Sequence, residues 1–264
     1  MILDIIFWFS LFIVFYTYLG YGILILFLVK IKELLYPDKS VLVAEFPDVT
    51  LLIAAYNEED VIVEKMNNIA LLDYPKDKLD IVWVTDGSTD KTISKLESYT
   101  NIKVLFEPER KGKTAAINRS MAFINTPIVI FTDANAMLNP ESIKRIVSPF
   151  SNSQIGCVAG EKRIIIQSQD TAVSSGEGFY WRYESFLKNL DSRLYSVVGA
   201  AGELYAIRRN LFTNIPNDTL LDDFVLSLKI AQKGYRIAYC PLAYAVESGS
   251  ESIQEEEKRK IRIA

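Results

Sequence analysis

Carboxylates recur in this chain in settings where they could do chemistry: Asp86 in VTDGSTD, Asp133 with Asn135 in FTDAN, and the pair Asp222–Asp223 in LLDDF. The first two close apolar runs that read as buried strands, and the pair opens a helix-like segment. Acids placed this way project from the carboxyl edge of an α/β sheet, where ligands of open sheets bind. Together they point to a site for a metal-bound anionic nucleotide, with one carboxylate left to act as a base. Histidine is absent. That excludes a Ser-His-Asp triad, a histidine base and histidine-ligated zinc, so carboxylates must carry the acid–base work. A formal net charge of −4 argues against a general nucleic-acid binder, whose phosphate contacts need a basic excess.

Each of these groups also has a plain structural reading. Asn57, Glu58 and Glu59 fit a turn and a helix cap, although with Tyr56 they follow a strand where side chains can meet a base and ribose. Gly87 and Ser88 after Asp86 fit a turn, but a turn does not explain why Asp86 recurs in register with the other acidic strand ends. Acids favour a helix's first turn, which accounts for Asp222–Asp223 without excluding catalysis. Lys111 and Lys113, flanking Gly112, read as solvated charges, and Arg110 is left without a role. Tyr180 and Trp181 either offer rings for stacking on a ligand or belong to a core. Cys157 and Cys240 lie in apolar segments and read as small core residues in a reducing compartment.

The elements that must position these groups alternate. VTLLIAAY (49–56) reads as a strand, followed by a helix with Ile62, Met66 and Ile69 on one face. LDIVWVTD (79–86), IKVLFEP and PIVIFTD (127–133) continue the strands, with DKTISKLESY (Asp90 as N-cap) and KTAAINRSMAFI as helices. Such repeats imply a mainly parallel sheet covered on both faces. From about residue 151 the pattern changes. IGCVAGEKRIII and RIAYCPLAYAVE read as strands, and TAVSSGEGFYWRYESFLKNL as an aromatic-rich helix. DDFVLSLKIAQKG reads as a helix with Phe224, Leu228 and Ala231 marking one face and Gly234 as its stop.

The chain begins differently. Residues 5–29 carry no charge, a 25-residue stretch that at ~1.5 Å per residue covers a ~30 Å hydrocarbon layer. A cleavable signal peptide would want a basic start and small residues at a cleavage point. The early Asp4 and the lack of such a site favour an anchor (1–30), with Lys30 and Lys32 on the cytoplasmic side. Residues 31–48, with Pro37 and Pro47, read as a linker.

AAYNEED, VTDGSTDKT, KGKTAAIN, TDANA, GAAGELYAIRR and LLDDFVLSLKIAQKGY, in that order over residues 48–250, resemble a family-2 glycosyltransferase. The resemblance implies a GT-A fold, with a nucleotide-sugar half (49–150) and an acceptor and catalytic half (151–250). It implies that Tyr56, Asn57, Glu58 and Asp86 hold the nucleotide's uracil and ribose and that Lys113 meets the diphosphate. Asp133 and Asn135 stand where the family carries two acids separated by one residue, so they are expected to bind Mg²⁺ or Mn²⁺. The amide at Asn135 removes one charge from that motif. Asp222–Asp223 match the family's Glu-Asp pair, which makes Asp223 the base and Asp222 its neighbour. Gly199, Gly202 and Glu203 are expected to shape the acceptor pocket, with Trp181 beside them.

The implied enzyme is an inverting hexosyltransferase-like protein of polysaccharide biosynthesis. It would move a sugar from a UDP-sugar to a glycan or lipid-linked acceptor at the plasma membrane, on a single-pass anchor with its catalytic domain in the cytoplasm, and further membrane subunits are admitted as partners. The family's Gln-x-x-Arg-Trp motif is replaced by Arg259-Lys-Ile-Arg262-Ile263. The charged tail (251–264) reads as a membrane-surface segment, with Lys258, Arg259, Lys260 and Arg262 toward anionic lipid, of either a truncated form or a transferase that does not extrude its product. A nucleotidyltransferase would place a glycine-rich basic loop after the first strand, where AYNEED stands here. A catalytically inactive membrane-bound partner of a polysaccharide synthase is the alternative from another class.

Overall fold

A computed structural model describes residues 1–37, 45–165 and 171–248. The charged tail and the middle of the linker lie outside these residues. In the parallel half, β1 (Val49–Ala55), β2 (Leu79–Asp86), β3 (Lys103–Glu107) and β4 (Ile128–Asp133) pair in the order 3-2-1-4. The sheet continues through β7 (Tyr205–Arg208), β6 (Ile155–Ile165), β8 (Arg236–Ser248) and β5 (Met137–Leu138). β7 runs antiparallel to both β4 and β6, and β5 antiparallel to β8, while β6 and β8 pair in parallel, so the sheet is mixed and the strand–helix repeats form one of its two parallel parts.

Both faces are covered, as the near-continuous apolar strands require. On one face α3 (Ile62–Ala70) and α6 (Ser142–Val147) contribute Ile62, Met66, Ile69, Ile143 and Ile146 to a core built on Leu51, Ile53 and Trp83. On the other, α5 (Lys113–Ser120) and α8 (Asp222–Gln232) contribute Ile117, Leu226 and Ile230 against Leu52, Val84 and Phe131. Of the face marked by Phe224, Leu228 and Ala231, Ala231 packs against this core, while Phe224 is exposed. The buried residues of α8 are Asp222, Leu226, Ser227 and Ile230, two of them polar. Both cysteines are free thiols, Cys157 buried and Cys240 half-buried.

The N-terminal apolar helix runs past the expected boundary at residue 30. It consists of α1 (Ile2–Phe15), a π-helical turn (Tyr16–Gly20) and α2 (Tyr21–Leu35), and it is long and apolar enough to cross a membrane. Its first half is exposed, whereas α2 packs on α7 (Thr171–Leu194) through Ile25, Val29 and Leu190. Polar contacts frame this seam: the Tyr21 hydroxyl donates to Asp191 (2.5 Å) and Arg193 pairs with Glu33 (2.6 Å).

Candidate active site

Register places the acidic strand ends side by side. Asp133 lies opposite Ala54 and Thr85 opposite Ala55, so Asp86 and Asp133 flank the point where β1 gives way to Tyr56. This is the carboxyl edge where the strand order reverses, the usual ligand position in open α/β sheets.

Asp86 is buried, with most of its acceptor capacity engaged. One carboxylate oxygen accepts the amides of Lys111 (2.9 Å) and Gly112 (2.6 Å), and the other pairs with Arg119 (2.9 Å). A carboxylate offers about four acceptor sites, so three are used to close the 110–112 loop. That loop needs its glycines. Gly112 has φ 95°, and a Cβ at Gly87 (φ 70°) would lie 2.8 Å from the Arg110 backbone. Asn57, at φ 53°, is bonded both ways to the next turn: its amide donates to Ser88 and its side chain accepts from Thr89. The Glu58 amide donates to Thr92 Oγ1, and burial, then Asp133 and Asp90, push its carboxyl pKa up. Arg110, which sequence reasoning left unassigned, lays its guanidinium 3.7 Å from the centre of the exposed Tyr56 ring.

The second cluster gathers around one lysine. Lys113 Nζ lies 2.6 Å from Asp133 Oδ1. Burial opposes its charge, but Asp133, Asp222 and Asp223 together hold the ammonium above its ordinary range. Lys111, by contrast, turns outward to Glu109 (3.1 Å). Asp222 and Asp223 open α8, where the N-terminal dipole favours acids. The Phe224 amide donates to Asp223 Oδ1 (2.8 Å). Burial nevertheless pushes the Asp223 carboxyl up to about 6, with Asp222 and Glu203 adding to it and Lys113 opposing. Asp222 is also raised, first by burial. Its Oδ2 and the buried Tyr205 hydroxyl have no protein partner. Both residues line a small pocket with Lys113, Asp133 and Gly202, with room for about one water molecule.

The donor chemistry here fits a hard divalent cation. Asp133 has its second oxygen open, and Asn135 stands exposed two residues on. No three Asp, Glu or Cys side chains among the described residues are grouped closely enough to hold a metal ion by themselves, so such an ion would take its remaining ligands from water and diphosphate, as Mg²⁺ commonly does.

The acceptor-side expectations divide. A Cβ at Gly202 would lie 3.3 Å from Asp223 Oδ2 and 3.5 Å from Lys113 Nζ, so this glycine borders the acid cluster. A Cβ at Gly199 would lie 2.4 Å from the Phe224 ring, which covers it. Glu203 is buried and ion-paired to Lys162, which also holds Glu247 (2.6 Å). Trp181 packs edge-to-face on Tyr180, two residues before Tyr183, whose hydroxyl reaches the Tyr18 carbonyl of the N-terminal helix. Sequence reasoning missed Arg110, Arg119 and Lys65. Lys65 alone left a signal, as a lysine three residues after Ile62 and four before Ile69 on the apolar stripe of α3.

A parallel half-sheet with acids at its carboxyl edge, joined by antiparallel strands to a helix opening on another acid pair, is the architecture of GT-A glycosyltransferase domains. The chain belongs to the glycosyltransferase like family 2, whose family model matches residues 47–264. It is 27% identical over 230 residues to the probable glycosyltransferase YdaM of Bacillus subtilis, covering 79% of this chain and 52% of that protein. It is 25% identical over 225 residues to poly-beta-1,6-N-acetyl-D-glucosamine synthase of Staphylococcus aureus, covering 81% of this chain and 53% of the synthase. The chain thus spans about half the length of these relatives. Among solved structures it resembles the mannosyltransferase PcManGT of Pyrobaculum calidifontis, in complex with GDP-Man and Mn²⁺, with a TM-score of 0.73 at 28% identity over 94% of this chain and 70% of that one. It shares its fold with S. aureus TarS in complex with UDP-GlcNAc (TM-score 0.59, 19% identity, 78% and 59% covered).

Proposed function

We propose that this glycosyltransferase is an inverting enzyme that moves a sugar from a UDP-sugar to a hydroxyl of a glycan or lipid-linked acceptor. The reading is carried by the convergence of Asp133, Asp222 and Asp223 on Lys113 at the sheet edge. Tyr56, with Arg110 on its face, Asn57 and Glu58 line the side where a base and ribose would lie, and the loop closed by Asp86 leads into α5 with Lys113 toward the diphosphate. Asp133 and Asn135 would hold Mg²⁺ or Mn²⁺, which when bound neutralises charge on the leaving diphosphate.

Asp223 is the base. A carboxyl held near 6 is ionised at neutral pH yet basic enough to take a proton from a sugar hydroxyl in flight. The acceptor oxygen bonds to the anomeric carbon as the bond from that carbon to the diphosphate oxygen breaks on the opposite face. The proton passes to Asp223, and the configuration inverts. Lys113 adds a fixed positive charge beside the leaving group. Gly202 leaves the approach to Asp223 open, because any side chain there would meet Asp223 and Lys113.

The apolar N-terminal helix supports a single-pass anchor in the plasma membrane with the catalytic domain on the cytoplasmic side, where Lys30 and Lys32 follow the span. The name of the S. aureus relative supports a polysaccharide product. The test is transfer by the detergent-solubilised chain from UDP- and GDP-sugars with Mn²⁺, followed by NMR of the new linkage. A product with inverted anomeric configuration from a UDP-sugar is expected. Retention of configuration, or transfer only from GDP-sugars, overturns the mechanism or the donor respectively, and UDP binding without any transfer favours an inactive partner protein.

A further inference from the structure

Lys65 is fully buried within α3, on the face that packs against the sheet, and the chemistry described above makes no use of it. Taking an ammonium out of water costs several kcal/mol unless it is paired. No carboxylate lies within ion-pair distance of Lys65 among the described residues. Methionine, of similar length, would fill the same space without that cost, so stability alone does not account for a lysine here.

Its hydrogen bonds show what the amino group does. Nζ donates to Thr132 Oγ1 (3.2 Å) and to the Ala136 carbonyl. These two residues bracket the turn that carries Asp133 and Asn135. The turn's own closure is weak, a single Ala136 amide to Asp133 carbonyl bond of 3.3 Å. One helical turn further along α3, Asn68 clamps the same segment, giving its amide to the Leu138 carbonyl (2.8 Å) and accepting the Leu138 amide (2.9 Å). Thr132 Oγ1 in turn donates to the Glu203 carbonyl (2.9 Å), in the loop whose Gly202 borders Asp223.

We propose that Lys65 is a positioning residue that holds the Asp133–Asn135 turn and, through Thr132, the Gly202–Glu203 loop in the geometry needed to bind the metal–nucleotide pair. α3 fixes the turn from beneath at two places. Asp133 can then present its open oxygen from a rigid support instead of a loosely closed turn. This inference rests on the glycosyltransferase reading of the site and concerns residues that touch neither sugar nor phosphate.

The test is direct binding without turnover. Mn²⁺ affinity is measured by electron paramagnetic resonance with saturating UDP, and separately GDP, for the full chain in detergent and for its Lys65→Met and Thr132→Val variants. Thermal unfolding is followed on the same samples. Loss of an outer-shell partner typically costs 10–100-fold in metal affinity. Lys65→Met is therefore expected to weaken Mn²⁺ binding at least about tenfold, and Thr132→Val to shift it the same way by less. A merely structural role would lower the unfolding temperature and leave the affinity of the folded protein unchanged. Mn²⁺ affinities within twofold of the parent in every variant that folds overturn the proposal, and Thr132→Val alone decides it if Lys65→Met does not fold. If the parent chain itself binds no Mn²⁺ with either nucleotide, the functional reading falls, and this inference with it.

Discussion

Replacing the base should stabilise the protein while abolishing its chemistry. In the folded chain Asp223 holds its proton up to about pH 6, whereas the ordinary aspartate value is 3.8. The folded state thus binds the proton more tightly than the unfolded state, and stability falls as pH rises through that window. At about 1.36 kcal/mol for each factor of ten in acidity, the cost at neutral pH is at most about 3 kcal/mol. Asp223→Asn removes the charge and keeps an oxygen to accept the Phe224 amide. The variant should unfold at a higher temperature at pH 7.5, by up to roughly 10 °C for a chain of this size. The advantage should shrink as pH falls through this window and approach zero only below about pH 4, where the parent carboxyl becomes protonated in both states. Paired thermal unfolding curves at pH 4.5, 6 and 7.5 in one detergent measure the effect. A variant that is no more stable at pH 7.5, or whose advantage is the same at every pH, refutes the claim that burial holds this carboxyl in an unfavourable charged state.

The same carboxyl predicts an acid limb near pH 6 in kcat/KM, tenfold per pH unit below it, readable from initial rates across pH. Lys113→Met should move that limb to higher pH, because Lys113 opposes the rise of Asp223. A limb that stays in place would remove Lys113 from the cluster's electrostatics. Arg119→Met should leave Asp86 buried beside a lost cation and loosen the 110–112 loop, weakening UDP binding about tenfold by calorimetry, the scale of one charged hydrogen bond. Gly199→Ala drives a Cβ to 2.4 Å from the Phe224 ring, so acceptor turnover should fall at least about tenfold, since small displacements near a site are costly, while UDP affinity stays unchanged.

Much of this fold was legible because its strands announce themselves. VTLLIAA, LDIVWVTD and IVIFTD are continuous apolar runs of strand length ending at acids or turn residues, and the structure builds the parallel half-sheet from them. β7, only Tyr205–Arg208, and the two-residue β5 have no comparable pattern, because their pairing is set by long-range antiparallel contacts. The buried face of α8 was only partly legible for a related reason. Asp222 and Ser227 are buried polar residues on it, and apolar periodicity cannot see them. Among candidate site residues, the acids were visible because each closes a strand or opens a helix. Their partners were not. Arg119 reaches Asp86 from α5 across 33 residues, and Lys65 reaches Thr132 across 67, distances that no local motif records.

The claim that Asp223 takes the acceptor's proton is tested most directly by measuring UDP affinity in the presence of Mn²⁺ and the rate of sugar transfer on the same preparations of the parent chain and Asp223→Asn. Loss of a general base typically costs 10²–10⁴-fold, so transfer should drop by roughly a thousandfold while UDP affinity stays within about threefold. Transfer at the parental rate by Asp223→Asn would contradict the account.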